Sequence, residues 1–346
     1  MNGCVEQADR APVAIITVTL NSAGTVARCL QPLRARGPSF YVIVVDNGSH
    51  DDTARTVRRR QLADAVIGND RNHGYGAAVN QALSHLARLG VDTRAVVLLD
   101  PDCFITPHEL LTLAADLDDV SHLGAISPAL VGPDGATQVT AHGFRNLRTE
   151  TRRVLREAPP DALAHQLAAT VYLTDWVVGA CLVLRPAAIT DIDRIAERYF
   201  VYVEDIDTCY RLRAAGWEVA IDTSVRARHI GGHSLSHHPL RCFAPVLKLV
   251  NELDFYESVH NPARRAGVAL LRVLRALRKG EFLHEKTLVL LLACLGLRAG
   301  RIGRIMLRRH NRRDPAAGEV IPAAWLTPRR PRRPASATAR ARRGAW

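Results

Sequence analysis

Four short stretches of the 346-residue chain concentrate side chains that could bind or activate a small polar substrate. The first ends the apolar run Val42-Ile43-Val44-Val45 with Asp46-Asn47-Gly48-Ser49. A carboxylate there can accept from a base imide N–H or a ribose hydroxyl, although the same residues also suit an ordinary turn or helix cap. The second, Val96-Val97-Leu98-Leu99-Asp100-Pro101-Asp102, delivers two carboxylates one residue apart. Such a pair can divide its work, one acid facing ribose and the other a hard divalent cation that also touches diphosphate oxygens. The third sets Glu204, Asp205 and Asp207 behind Tyr199, Phe200 and Tyr202. The dipole at a helix start stabilises such acids, which accounts for at least one of them; an aromatic-lined acidic cluster is also what a general base for a sugar hydroxyl requires. The fourth is Arg228-His229-Ile230-Gly231-Gly232-His233-Ser234. His229, His233 and His237 recur every four residues, but Gly231-Gly232 argues against the continuous helix of a three-histidine zinc face, so a single histidine serving a site is expected.

These groups need a scaffold that gathers strand ends. From Val13 to about Leu184, short β-rich apolar runs alternate with helix-like stretches, the pattern of a doubly wound, mostly parallel α/β sheet. Strands are expected at Val13 to Leu20, Tyr41 to Asp46, Ala65 to Gly68 and Ala95 to Asp100. Helices are expected near Thr25 to Arg36, Asp51 to Arg60, Tyr75 to Leu89 and Pro107 to Leu117, with Ser49 and Thr106 as entry signals. Ligands sit beyond the carboxyl ends of such strands, which puts Asp46 and the Asp100, Asp102 pair on one edge. Thr149 to Leu167 reads as a polar connection, Tyr172 to Leu184 as β-rich, Asp205 to Ala215 as a helix ending at Gly216, and Glu218 to Asp222 as a strand. From about Ala244 the texture becomes helical, and from Pro328 it is Pro/Arg/Ala-rich, a composition that favours disorder.

Composition narrows the class. The longest candidate membrane segment, Leu288 to Leu297, falls short of the roughly 20 apolar residues a spanning helix needs. The first dozen residues hold Glu6 and Asp9 and no apolar core, so a cytosolic location is expected. Seven scattered cysteines without a C-x-x-C pair fit neither a disulfide framework nor a zinc ribbon. Of the net charge of +12, the stretch from Gly300 onward carries most: thirteen arginines against Asp314 and Glu319. A nearly neutral body with a basic tail suits an enzyme that meets an anionic surface rather than a domain that wraps nucleic acid.

With the four motifs in this order, the chain resembles the family 2 glycosyltransferases of the GT-A fold, and among them the bacterial rhamnosyltransferases. The likeness runs from about Val13 to Ser234. Thr17-Val18-Thr19-Leu20-Asn21 resembles the opening strand and Asp46-Asn47-Gly48-Ser49 the base-binding turn. The run from Asn72-His73-Gly74-Tyr75 to Asn80 resembles the donor-side glycine loop, and Asp100-Pro101-Asp102 the metal motif. Trp176-Val177-Val178-Gly179-Ala180 is similar to the acceptor loop and Glu204-Asp205-Ile206-Asp207 to the catalytic acid segment. The resemblance implies that Asp46 reads the nucleobase with Asn21, Asn47, Asn72 and Gly74 around the nucleotide. It also implies that Asp100 faces ribose, that Asp102 and His229 serve Mg2+ or Mn2+, that Trp176, Gly179 and Glu204 line the acceptor and sugar pocket, and that Asp205 is the base. Many relatives carry Asn in place of Asp100, and Leu20 stands where an aromatic is frequent.

The implied reaction is a single inverting displacement from a nucleoside-diphosphate sugar to a hydroxyl of a glycan or polyprenyl-diphosphate-linked acceptor, as in cell-envelope polysaccharide synthesis. Rhamnose from a deoxythymidine diphosphate donor leads, ahead of galactofuranose, mannose or N-acetylglucosamine. The expected organisation is a catalytic domain over 1–240, with a nucleotide-sugar half to about 130, then an amphipathic helical extension over 241–313 and a basic tail over 314–346. A nucleotidyltransferase would carry a Gly-rich basic phosphate loop, which Asn21-Ser22-Ala23-Gly24-Thr25 is not. A nucleic-acid-binding tail would interleave aromatics with its arginines, and only Trp325 and Trp346 follow Gly300. On a helical wheel from Arg264 to Lys279, Leu270, Val273, Leu274 and Leu277 fall on one side and Arg265, Arg272, Arg275 and Lys279 opposite. This stripe suits either core packing or an anionic membrane at the inner face of the cell envelope.

Overall fold

The computed structural model describes residues 11–35, 39–155, 165–231, 244–259, 262–278, 285–294, 297–298 and 301–306. Its first half alternates β1 (Val13–Thr19), α1 (Val26–Arg34), β2 (Phe40–Asp46), α2 (Thr53–Arg59), β3 (Ala65–Gly68), α3 (Tyr75–Leu89) and β4 (Ala95–Leu99). Then come β5 (Cys103–Phe104), α4 (Pro107–Asp119), β6 (Leu123–Val131), β7 (Ala141–His142), α5 (Leu147–Val154), β8 (His165–Gln166) and β9 (Val171–Thr174). The series continues with β10 (Trp176–Val177), β11 (Cys181–Leu184), α6 (Pro186–Asp191), α7 (Glu204–Ala214) and β12 (Glu218–His229). Three helices follow: α8 (Ala244–Val259), α9 (Pro262–Arg278) and α10 (Glu285–Cys294).

The main sheet runs β3-β2-β1-β4-β11-β6-β12-β9-β8, and its longer pairings are parallel. The reversed strand β11 lies antiparallel to both β4 and β6, and β5 and β9 run antiparallel to β12. Strands β1, β2, β4, β6 and β12 therefore all end at the same edge, where the site forms. Strict alternation explains the unbroken apolar runs. Val13, Ile15, Val42, Val44, Val97 and Leu99 pack into one face, while Ala14, Ile16, Ile43, Val45, Val96 and Leu98 pack into the other. A sheet buried on both sides needs apolar residues at every position.

Of the two entry signals, Thr106 caps α4: its hydroxyl accepts from Glu109 N at 3.3 Å while Glu109 Oε2 accepts from Thr106 N at 2.8 Å. Ser49 instead turns back to Asp46, its Oγ donating to Oδ1 at 2.6 Å. The stretch expected as a polar connection after Thr149 begins inside a helix. Asn146 and Thr149 cap each other there, with Asn146 N donating to Thr149 Oγ1 at 2.9 Å and Thr149 N to Asn146 Oδ1 at 3.0 Å. Strand β6, nine residues long, was not expected, because Gly124, Ser127 and Pro128 interrupt its apolar pattern. Strand β12 does not stop at Asp222 but passes a register shift before Arg226 and continues to His229.

The extension is anchored by a cluster of Phe200 with Val246, Leu247, Leu249, Val250, Leu253, Ala269, Val273 and residues of α10. The expected apolar stripe on α9 is divided by this packing: Val273 is buried, whereas Leu270 and Leu274 stay exposed at 52% and 42%. Arg272, expected on the solvated face, turns inward and meets Glu252 Oε2 at 2.8 Å. The side chains of Arg265, Arg275, Leu277 and Lys279, and all of 307–346, lie outside the described residues.

Candidate active site

A cavity of about 540 Å³ opens along the shared strand edge and reaches from Val18, Leu20, Asn47 and Asn72 to Lys248, Glu252 and Tyr256 on α8. Asp100, Asp102, His229, Trp176, Gly179, Glu204 and Asp205 all line it. Asn21, Asp46 and Gly74 are not among the lining residues and hold the neighbouring loops. Asp46 is buried and accepts from Thr19 Oγ1 at 2.9 Å and from Ser49 Oγ at 2.6 Å. Asn21 adopts a positive φ of 50° and accepts from His50 N at 2.9 Å, which ties the ends of β1 and β2 together. Asn47 donates to Asn72 Oδ1 at 2.8 Å, so two of the expected nucleotide contacts form one unit in the wall.

The glycines at the start of α3, Gly74 before it and Gly76 in its first turn, permit a close approach. A Cβ on Gly74, whose φ is +83°, would meet Phe200 O at 2.9 Å, and one on Gly76 would meet Ala196 O at 2.4 Å. Asn80 completes the seam by donating to Ile195 O at 2.9 Å and accepting from Ile195 N at 3.1 Å. The loop from Asn72 to Asn80 thus fastens the segment that leads into α7. Tyr202 and Val203, just before α7, have φ of 70° and 79°, and Asn251 on α8 donates to Val201 O at 2.9 Å and Tyr202 O at 3.3 Å. Residues with side chains rarely adopt this conformation unless their surroundings impose it. Here the extension supplies the constraint, and it brings Glu204 and Asp205 into the cavity.

Asp100, Asp102 and His229 offer ligand atoms that all lie within 4.8 Å of one another. His229 arrives because β12 pairs with β5, setting it opposite Cys103, and its Nε2 stands 3.8 Å from Asp102 Oδ1. Gln138 orients the ring. Its Nε2 donates to His229 O at 2.9 Å, which leaves Oε1 3.1 Å from His229 Nδ1 to accept a hydrogen bond from that N–H. The Nε2 lone pair is then directed to Asp102. Desolvation lowers the imidazole pKa against the pull of Asp102, which favours the neutral, ligating form. Burial, followed by the charges of Asp102 and Asp205, pushes the Asp100 carboxyl well above the usual range. Two crowded carboxylates beside a neutral imidazole suit a divalent cation, which would relieve that repulsion. Gln138→Leu is expected to weaken cation affinity by about 10–100-fold, as loss of a partner that orients a metal-binding histidine does. Mn2+ titration of the folded variant checks this, and unchanged affinity would remove Gln138 from that role.

Next to the cation ligands, Asp205 accepts from Ile206 N at 2.8 Å and from Gly179 N at 3.2 Å. Gly179 permits this approach, since a Cβ there would stand 3.2 Å from Asp205 Cβ. Burial raises the pKa of Asp205, while those N–H groups and Lys248 hold it down. Glu204 is raised further, to about 8, by burial and then by Asp205, and its Oε2 is buried with no hydrogen-bond partner. Burial thus acts against the charged form of both acids, and the two backbone N–H groups favour it at Asp205. Asp207 is committed elsewhere: Arg198 lies 2.5 Å from Oδ1 and Arg211 Nε 2.7 Å from Oδ2. It is buried, absent from the cavity lining, and serves as the anchor of α7. Trp176 stacks on His142 with ring centroids 4.2 Å apart and planes at 15°. His142 and Gln138 were not singled out in the sequence, for they lie in an irregular stretch with no pattern. His233 and His237 lie outside the described residues.

Residues 14–169 match the model of Glycosyl transferase family 2. The chain is 28% identical over 239 residues to the N-acetylglucosaminyl-diphospho-decaprenol L-rhamnosyltransferase of Mycobacterium tuberculosis, covering 65% of this chain and 78% of that one. It is 22% identical over 241 residues to Rhamnosyltransferase WbbL of Escherichia coli, covering 67% and 86% respectively. Among solved structures, GalNAc-T7 with UDP, GalNAc and Mn2+ superposes with a TM-score of 0.53 at 13% identity, over 71% of this chain and 48% of that one. That likeness speaks for the fold, which is of the GT-A type. The family match covers β1 to β4 and the Asp100 and Asp102 turn, and the rhamnosyltransferase relatives align over more than three quarters of their length; over residues 14–169 the chain is similar to the family 2 glycosyltransferases.

Proposed function

We propose that the chain transfers L-rhamnose from dTDP-rhamnose, with inversion, to a hydroxyl of a polyprenyl-diphosphate-linked glycan at the inner face of the cell membrane. The observation that carries this reading is one cavity that holds the Asp100, Asp102 and His229 cluster and Asp205 together. The wall at Asn47 and Asn72 receives the nucleotide, with Asp46 holding the turn behind it. Asp100, Asp102 and His229 would hold Mg2+ or Mn2+, which supplies charge stabilisation to the diphosphate. Asp205 takes the proton from the acceptor hydroxyl as its oxygen attacks the anomeric carbon, while the bond from that carbon to the donor diphosphate breaks and dTDP leaves. The Trp176 and His142 pair offers a flat apolar face to a sugar ring, and protonated Glu204 can donate to a sugar oxygen. The acceptor class is that named for the mycobacterial relative.

Exposed Leu270, Leu274, Leu291 and Ile305, together with the arginines after Gly300, support seating on an anionic leaflet. No helix among the described residues is long and apolar enough to cross a membrane. The deciding experiment supplies purified protein and Mn2+ with dTDP-rhamnose, UDP-galactofuranose, GDP-mannose or UDP-N-acetylglucosamine and a polyprenyl-diphospho-N-acetylglucosamine acceptor. Rhamnosyl product should dominate; turnover with another donor and none with dTDP-rhamnose would overturn the donor assignment.

A further inference from the structure

The far end of the cavity carries charge that the reaction at Asp205 does not use. Lys248, Glu252 and Tyr256 recur every four residues along α8 and line the cavity together with Phe144 and Arg145. Glu252 is neutralised by Arg272 at 2.8 Å, and Arg145 Nη1 donates to buried Glu150 Oε1 at 3.3 Å. Lys248 is left over. It is exposed, and among the described residues no ion pair holds its ammonium. It is one of only three lysines among 46 basic residues, the others being Lys279 and Lys286. Its charge favours the ionised forms of Glu204, Asp205 and Glu252, but it is not among the groups that shift Asp100. Lys248 lies on α8, the helix whose Asn251 holds Val201 and Tyr202 ahead of Glu204 and Asp205, and not on the elements that carry Asp100, Asp102 and His229.

An acceptor whose hydroxyl lies at Asp205 presents the substituent on its anomeric carbon one sugar ring away. A flexible ammonium with three donors, supported by a guanidinium, suits a diphosphate there. We propose that Lys248, backed by Arg145, forms an anion subsite for the diphosphate of a lipid-linked acceptor, separate from the Asp100, Asp102 and His229 cluster. The proposal rests on the reading of the chain as a transferase to such acceptors. It gives the helical extension a second task, since the helix that constrains Tyr202 also recognises the acceptor.

The test is calorimetric titration of the full chain in EDTA, so that cation-dependent donor binding is silent, with farnesyl diphosphate, farnesol and dTDP as probes. Farnesyl diphosphate should bind the unaltered chain, and Lys248→Ala should weaken it on the order of 10–100-fold, as expected for loss of a charge-assisted hydrogen bond. Lys248→Arg should retain most of the affinity, Asp102→Ala should leave it unchanged, and farnesol and dTDP should bind poorly to every variant. No binding by the unaltered chain, no effect of Lys248→Ala, or an equal loss with Asp102→Ala would each overturn the subsite. Turnover is measured separately. Absence of rhamnosyl transfer by a chain that still binds farnesyl diphosphate through Lys248 would count against the donor assignment and leave the subsite standing.

Discussion

Asp205→Asn is expected to lower sugar transfer by about 10²–10⁴-fold, the contribution of a positioned general base, while donor and cation affinity stay near those of the unaltered chain. The amide keeps the shape of the carboxylate but cannot take a proton. Glu204→Gln is expected to retain most of its turnover, because Glu204, pushed up to about 8, already carries a proton at neutral pH. These opposite outcomes from adjacent acids distinguish them. Turnover and donor affinity measured separately for both variants, with melting curves to confirm folding, provide the check. An active Asp205→Asn together with an inactive Glu204→Gln would move the base to Glu204; Asp207, clamped by Arg198 and Arg211, is not available for the task. The pH profile carries the same assignment. A base must be ionised to act, and burial raises the pKa of Asp205. Activity should therefore decline on acidification at a pH above the ordinary aspartate range, and that limb should vanish from whatever residual rate Asp205→Asn retains.

Asp102→Ala is expected to abolish cation-dependent donor binding, a loss exceeding the roughly 10–100-fold that a supporting partner such as Gln138 contributes. Asp102 is 4% exposed and, with His229 3.8 Å away, stands at the centre of the cluster. Asp100→Asn should be milder. An amide oxygen at this position can still face a ribose hydroxyl or a cation. Titration with Mn2+ and dTDP, read by calorimetry on both variants, orders the two losses. A deeper loss in Asp100→Asn would reverse the division of labour between these acids.

The local sequence was sufficient for the parallel half of the sheet. Its strands alternate faces between two apolar layers, so each had to read as a continuous apolar run, and β1 to β4 fall within a residue of their expected bounds. The ends of those runs also disclosed Asp46, Asp100 and Asp102, since a polar residue that closes a buried strand stands out. Local pattern could not disclose contacts between residues far apart in the chain. His229 meets Asp102 only because β12 continues through a register shift to pair with β5, and Gln138 orients that imidazole from 91 residues away. The acid cluster before α7 was legible as chemistry, but the choice among its members was not. Ion pairs commit Asp207, burial and then Asp205 raise Glu204, and two backbone N–H groups favour the charged form of Asp205 against its own burial. The helical extension read as a separate element, whereas Asn251, Lys248 and Tyr256 make it a wall of the cavity. Residue type and strand period determine where a carboxylate can be displayed; desolvation, pairing and proximity, which decide what it does, exist only once distant segments are packed together.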